Sequence, residues 1–397
     1  MASKENPKVA LITGANGISG AAVLKQLSSN PIWSEIHALS RSPPTTTPSD
    51  PRIHFHTLDL SAPLSTLTSF LQSHNLTHIT HFFHYAYIHS PSLIQQAADN
   101  IPLFHNTVYA IDTASSSTLE RVILQTGGKD YGIHAQAPPS VPLVESQPRT
   151  TNPNALPMFY YTQEDDLWAL KEKRGWSWNV TLPFWINGYV PKSGMSWTTS
   201  AGMYFSLWGR FSFCFLSCDL LLSCVGSSVM FYQSLALHIK PAIFPGDPDK
   251  SSYRRPQHFS TASVIGSFTE WLALNPSPEV QNQRFNIVDD TVTTFEDIWV
   301  GVGKYFGVEP KAVAGHDLRG EIEGILGEWE GIGGSKDALK LCTWDIFVGS
   351  MAEGDWGSDV SMEKARGVGW EERADTVGEM GRVFEEMRGG GLIPVFG

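Results

Sequence analysis

The chain has 397 residues, 42% hydrophobic and 17% charged, which is enough for one large globular domain or two closely joined ones, each burying its own core. Its formal net charge of −12, with no dense run of Lys and Arg, excludes a nucleic-acid surface, which needs clustered cations. Four cysteines, three of them at 214, 218 and 224, give neither a disulfide framework nor a CxxC metal spacing, so a reducing compartment and no metal centre are expected.

The opening residues "MASKENPKVALITG" pass straight into a strand pattern without an apolar leader, and a soluble, cytoplasmic protein is expected. The sequons at Asn75 and Asn179 are then chance matches. Up to residue 190, short β-rich runs (KVALITGA, EIHALSR, IHFHTLD, THITHFFHYA, ERVILQTG and SWNVTLPFW) alternate with helical stretches. That alternation predicts an α/β fold with a doubly wound parallel sheet. The Pro-rich polar stretches 41–51 and 135–157 read as loops, the second a candidate flap beside the active site. Beyond 190 come helical segments, "SVIGSFTEWLALN" and "TFEDIWVGVGKYFG" among them, and one more strand-like piece, "RFNIVDD". We place a dinucleotide-binding domain at 1–190 and a smaller mixed substrate-binding region at 191–397, with some elements returning to the sheet.

Residues Phe211–Phe231, "FSFCFLSCDLLLSCVGSSVMF", fit this plan badly. Their length admits a membrane helix, but Asp219 would sit mid-span at a cost of roughly 2.5–3.5 kcal/mol. The expectation is a segment foreign to the fold, such as a translated intron, ahead of a buried core helix or a membrane anchor; no membrane partner is expected.

"ALITGANGISGAAVLKQL" sets Gly14, Gly17 and Gly20 between the first strand and the first helix. Gly14 suits the tight turn, Gly17 the approach of a pyrophosphate and Gly20 the packing of helix on sheet, with Thr13 and Ile18 as flanking cofactor contacts. The second strand ends in Ser40-Arg41-Ser42, where an NAD-preferring domain carries an acid. A guanidinium between two hydroxyls suits a 2′-phosphate, so NADP(H) is the expected cofactor. Asp59 is a candidate acceptor for the adenine amino group, with Leu60 beside the ring. Thr126 and Gly127 close the fifth strand and Lys129 follows in a glycine-rich turn, while Pro183 and Ile186 flank the nicotinamide. His84, Tyr85 and Tyr87 read as pocket wall.

"PMFYYTQEDDLW" has no lysine four residues after either tyrosine: the positions hold Glu164 and Asp165, which read as helix-start residues favoured by the helix dipole. Taken in order, "LQTGGKDYG", "MFYYTQED", "WSWNVTLPFWINGYVP", "RFNIVDDTVTTFEDIWVGVGKYFGVEP", "SMEKARGVGW" and "GGGLIP" resemble the progesterone 5β-reductase and iridoid synthase-like reductases, an atypical branch of the extended short-chain dehydrogenases. The resemblance implies that Lys129 is the displaced lysine and Tyr160, directly after Phe159, the catalytic tyrosine. It further implies NADPH-dependent 1,4-reduction of an activated C=C bond in a small apolar metabolite, and a fungal-type relative associated with secondary metabolism. One departure is Leu182 where the family carries an Arg, followed by Phe184-Trp185 where smaller residues are usual. Two other readings stay open: a carbonyl reductase or epimerase/dehydratase using the same pair, and a non-catalytic NADP sensor or scaffold. Neither the substrate nor the oligomeric state is legible.

Overall fold

The computed structural model describes residues 7–44, 48–90, 92–133, 140–150, 158–194, 196–222, 241–244, 248–249, 252–314, 316–318, 320, 322, 326–352 and 357–395; for 210–222, 328, 345, 346 and 352 it describes the backbone alone. Seven strands form the central sheet: β1 (Lys8–Thr13), β2 (Trp33–Ser40), β3 (Ile53–Thr57), β4 (His81–His84), β5 (Arg121–Gln125), β6 (Ser177–Pro183) and the strand Gln283–Ile287. Their order is β3-β2-β1-β4-β5-β6 with Gln283–Ile287 beyond β6. Every pairing is parallel. The doubly wound sheet expected from the sequence is thus present. Its strand order turns back between β1 and β4, so the crevice at the carboxyl ends of these strands is the natural ligand position.

The cause is the composition of the strands. Ala10, Leu11 and Ile12 of β1 and Val122, Ile123 and Leu124 of β5 are fully buried. Such unbroken apolar runs suit strands covered on both faces. The covering helices include α1 (Ile18–Ser28), α2 (Leu64–Ser73), α3 (Leu93–Ala114) and α4 (Phe159–Lys171). The helix Ala262–Leu274 packs on α1, where a Cβ on Gly266 would stand 3.0 Å from the Ala22 carbonyl oxygen. Two side-chain bonds reinforce the contact: Trp33 Nε1 and Gln26 Nε2 donate to Glu270 at 2.8 and 2.7 Å. Asn179 is fully buried and donates to the Val280 carbonyl, which closes its sequon to modification in the folded chain.

By its internal contacts the chain forms two compact units: 1–186 with 259–290 and 360–373, and 187–258 with 291–359 and 374–397. In the second unit the helix Phe295–Phe306 starts with a capping box, in which Asp297 N donates to Thr294 Oγ1 and Thr294 N to Asp297 Oδ2. Gly307, at φ +67°, ends it in the left-handed conformation. Its core is aromatic: Phe205 meets Trp299 edge-on at 4.7 Å, and Trp299 Nε1 donates to the Ala242 carbonyl.

Residues 211–222 continue the backbone of the helix Trp197–Leu222, and the remainder of the Phe211–Phe231 segment lies outside the described residues. None of the described helices is long and apolar enough to cross a membrane. Of the loop 135–157, residues 140–150 are described; Leu143 bridges to Val360 within the first unit.

Candidate active site

Gly14 has φ +71°, and a Cβ there would stand 2.5 Å from the Tyr85 backbone carbon, so only glycine fits. A Cβ on Gly20 would lie 2.3 Å from the Gly14 carbonyl oxygen, so the helix could not approach the turn so closely with any other residue. Gly17 is different: a Cβ there meets nothing nearer than 3.4 Å, and no side chain caps α1. The first-turn N–H groups at Ile18, Ser19 and Gly20 thus have no side-chain cap, and the positive end of the helix dipole lies at them. This cradle fits a phosphate. Thr13 stands one layer below, fully buried, its hydroxyl 3.0 Å from His84 Nδ1.

Asn16, a polar residue that no motif of the sequence marks, organises the end of β2. Its Nδ2 donates to Ser42 O at 2.7 Å and to Ser42 Oγ at 3.0 Å, while Ser40 Oγ donates to Asn16 Oδ1 at 3.1 Å. Ser42 Oγ accepts from Asn16 and donates to none of the described residues, and Arg41 between the two serines is exposed. Asp59 sits close enough to feel Arg41. Its carboxyl is held below the usual range chiefly by the Ser61 hydroxyl and amide, with Arg41 a lesser contributor. Leu60 is buried and lines a small apolar gap with Leu39, Leu67, Leu71 and Ile111. The chain after β3 turns it inward onto α2 and α3.

The two tyrosines of α4 separate clearly. Tyr161 Oη donates to the Asp130 carbonyl at 2.6 Å and accepts from Thr150 N at 3.1 Å, so its hydroxyl is committed to backbone on both sides. Tyr160 Oη has no hydrogen-bond partner among the described residues, and it lies 3.8 Å from the point where Gly127 would carry a Cβ. The free hydroxyl thus stands beside the carboxyl end of β5. Its ring packs edge-on against Phe159 at 4.5 Å. Burial pushes the phenol above its ordinary pKa, with Tyr87 adding to the effect. Lys129 lies in the turn Gly128–Tyr131; burial pushes its ammonium below the ordinary lysine value, and no ion pair holds it among the described residues.

An ionic network ties this turn to α4. Asp130, next to Lys129, pairs with Arg284, whose Nε lies 3.0 Å from Glu164 Oε1. Glu164 Oε2 in turn meets Arg149 at 2.9 Å, and Arg149 reaches Asp165 at 2.7 Å. Arg149 also stacks over Tyr161 and Trp168. The helix-start reading of Glu164 and Asp165 is thereby corrected: α4 begins at Phe159 with no acid in its first turn. Glu164 is buried mid-helix, where desolvation lifts its pKa against the opposing pull of Arg149. It occupies the position four after Tyr160 and holds in place the turn that carries Lys129.

Phe184 fills the space that Gly128 leaves open: a Cβ on Gly128 would stand 2.6 Å from the ring, which also stacks on Tyr131. The departure from smaller residues after β6 is thus matched by a glycine opposite. Thr126 N donates to Thr181 O, and the Pro183 carbonyl lies 3.3 Å from the Cβ position of Gly127. Thr126, Gly127 and Pro183 therefore line one strand end. Leu182 is fully buried within β6 and Ile186 is half-buried two residues past Phe184. Tyr85 Oη donates to Thr269 and Tyr87 Oη to Gln96, so both act as wall. A cavity of about 560 Å³ beside Trp178, Gln283 and Lys364 lies where β6 and Gln283–Ile287 begin, at the other end of the strands from this crevice.

Comparison with known proteins places the chain in a family. The short chain dehydrogenase gsfE of Penicillium aethiopicum is 29% identical over 98% of this chain and 100% of its own length. The (S)-8-oxocitronellyl enol synthase of Catharanthus roseus is 25% identical over 77% of this chain and 70% of its own. Among solved structures, the enzyme WbmG of Bordetella bronchiseptica in complex with NAD shares the fold at a TM-score of 0.58, covering 98% of this chain and 96% of that one at 14% identity. Residues 10–212 match the PRISE-like Rossmann-fold domain, a span that contains the glycine turn, Lys129 and Tyr160. The chain belongs to the PRISE-like Rossmann-fold family, a branch of the extended short-chain dehydrogenase/reductases.

Proposed function

We propose that this short-chain-dehydrogenase-type oxidoreductase uses NADPH for the 1,4-reduction of an enone or enal, with Tyr160 as the hydrogen-bond donor to the substrate oxygen as it becomes an enolate. The observation that carries the reading is the uncommitted Tyr160 hydroxyl beside Gly127, kept protonated by burial. A neutral phenol donates to an oxygen on which charge accumulates, as the enolate of a conjugate reduction requires. A bound reduced nicotinamide supplies the hydride for the β-carbon. The first-turn amides of α1 hold the pyrophosphate and the Ser40–Ser42 turn the 2′-phosphate, where Arg41 and the Ser42 hydroxyl give a charge-assisted pair and a donor. Lys129 adds positive charge near the developing enolate and favours the anionic side of Tyr160. The α-carbon then takes its proton from solvent or from Tyr160. The likeness to the (S)-8-oxocitronellyl enol synthase of Catharanthus roseus supports a small carbonyl metabolite as substrate.

The test is product identity. Incubation with NADPH and a simple enone should give the saturated ketone; exclusive formation of the allylic alcohol would sink the reading in favour of carbonyl reduction.

A further inference from the structure

Away from the crevice, one edge of the sheet gathers an unusual set of side chains. Glu35 and His37 alternate along β2, and His54 and His56 along β3, so all four project from one face; His37 and His54 are register partners. His74 at the end of α2 and His78 in the connection to β4 close over them. Their rings are in contact: His37 lies 5.3 Å from both His54 and His56 and 6.2 Å from His78, and His56 lies 5.8 Å from His74. A parallel sheet normally covers such a face with apolar residues. Here five imidazoles and one carboxylate share it.

We propose that Glu35, His37 and His78 form a binding site for a divalent transition-metal ion of the zinc class. Glu35 Oε2 lies 3.1 Å from His37 Nε2 and 3.2 Å from His78 Nε2, and all three donor atoms fall within 4.8 Å of one another. Metal–ligand bonds of 2.0–2.1 Å in tetrahedral geometry set neighbouring ligands roughly 3.3 Å apart. The two separations to Glu35 match that spacing and the third is within 4.8 Å, so a small closing movement of the imidazoles brings the three donors onto one ion, with a fourth position for water. Two imidazole nitrogens and one carboxylate oxygen are a donor set that zinc accepts and that magnesium and calcium do not favour.

The surroundings are those of a ligand set. His37 Nδ1 lies 3.1 Å from His56 Nε2. With Nε2 on a metal, Nδ1 keeps its proton and donates to His56, the outer contact that fixes a ligating imidazole. The His37 side chain is buried, whereas the side chains of Glu35 and His78 are 40% and 43% exposed, which leaves an ion a way in. An ion held here ties β2, near the sheet edge, to the connection ahead of β4. Glu35 and Ser40 are five residues apart on one strand, roughly 16 Å, so the site is separate from the cofactor turn.

The experiment uses the full chain without a purification tag, stripped with a chelator and re-equilibrated with Zn²⁺. We expect one zinc retained per chain against a competing chromophoric chelator, and a higher thermal unfolding midpoint with zinc than without. His78→Gln and Glu35→Gln alter exposed side chains and should fold; each should weaken zinc binding at least roughly tenfold, while His89→Gln, outside the cluster, leaves it unchanged. Zinc retention no greater than the chelator background overturns the proposal. So does binding that persists unweakened in both variants, which would mark adventitious surface zinc.

Discussion

Glu164 stands four residues after Tyr160 and its Oε1 lies 3.0 Å from Arg284 Nε, with both side chains withdrawn from water. In the ordinary tyrosine–lysine spacing that position would carry the cation; here it carries an anion whose partners reach across to Asp130, the neighbour of Lys129. The position still serves the lysine, but by holding its turn. Glu164→Lys, which restores the familiar spacing in letters, is therefore expected to fail, because it buries a third cation beside Arg149 and Arg284. Breaking such a pair costs about 3–5 kcal/mol, so urea unfolding of Glu164→Lys and Glu164→Gln should show a midpoint well below wild type. A Glu164→Lys protein with full stability and turnover would remove the network from the account.

Tyr160 and Tyr161 are adjacent, yet opposite results are expected from the same change. Tyr160→Phe deletes a hydroxyl that makes no bond within the described residues, so stability should hold while turnover falls roughly 100- to 1,000-fold, the usual loss for one oxyanion donor. Affinity for NADPH should stay nearly constant. Tyr161→Phe removes the bonds to Asp130 O and Thr150 N. Its cost should appear as about 1–3 kcal/mol of stability with turnover largely retained. Steady-state kinetics and denaturant curves on both variants decide the assignment, and a reversed pattern would show that Tyr161 is the donor.

The glycine turn makes a second paired prediction. A methyl on Gly20 meets the Gly14 carbonyl oxygen at 2.3 Å, a backbone atom that cannot swing aside. Gly20→Ala should cost about 3 kcal/mol or more and lose the cofactor with the fold. Gly17→Ala has room, with 3.4 Å to the nearest atom, and should change stability by about 1 kcal/mol or less. Its methyl stands where a pyrophosphate must approach, so NADPH binding should still weaken. Thermal melts with and without NADPH separate the two effects; equal destabilisation in both variants would contradict this division of labour.

Arg41 and Asn16 govern the choice of nucleotide if the end of β2 holds a 2′-phosphate. Arg41→Glu removes a charge-assisted contact worth about 1.5–3 kcal/mol, so NADPH affinity should fall roughly 10- to 100-fold while NADH gains. Asn16→Ala releases Ser40 and Ser42 from their shared bonds and should weaken NADPH more than NADH. Fluorescence titration with both nucleotides is the measurement, and undiminished preference for NADPH in Arg41→Glu would assign that preference elsewhere.

The sheet and the glycine turn were legible because their signals are local: apolar runs of strand length, and three glycines between a strand and a helix. The assignment of Tyr160 and Lys129 as partners rests on the resemblance alone, since no spacing rule links a turn at 129 to a helix at 160. What escaped the sequence needs tertiary structure. The network draws on residues 130, 149, 164 and 284, and the histidine cluster on positions from 35 to 78, so neither has a spacing to read. The burial of Leu60 is illegible for a related reason, because the direction of a side chain after a strand end depends on how the following loop turns.

Two further buried histidines give the fold an acid limit. Desolvation pushes His84 down to about 3; the same cause, with Lys8 and Arg121 contributing, pushes His81 down to about 3. In the unfolded chain each titrates near 6.5. Both are neutral in the fold, so below pH 6.5 the unfolded state takes up protons that the folded state refuses. Stability is then fully present above about pH 6.5 and is lost as pH falls toward the folded values. The slope is about 1.4 kcal/mol per pH unit for each group, about 3 for the pair. The pair thus removes about 4 kcal/mol by pH 5 and about 7 by pH 4, so a fold at the lower end of the typical total of about 5–15 kcal/mol unfolds within that interval. Urea midpoints measured from pH 7.5 to pH 4.5 should drop steadily below 6.5, and His84→Gln, which cannot charge, should flatten the curve. A midpoint independent of pH across that range would mean that these imidazoles are not held neutral by the fold.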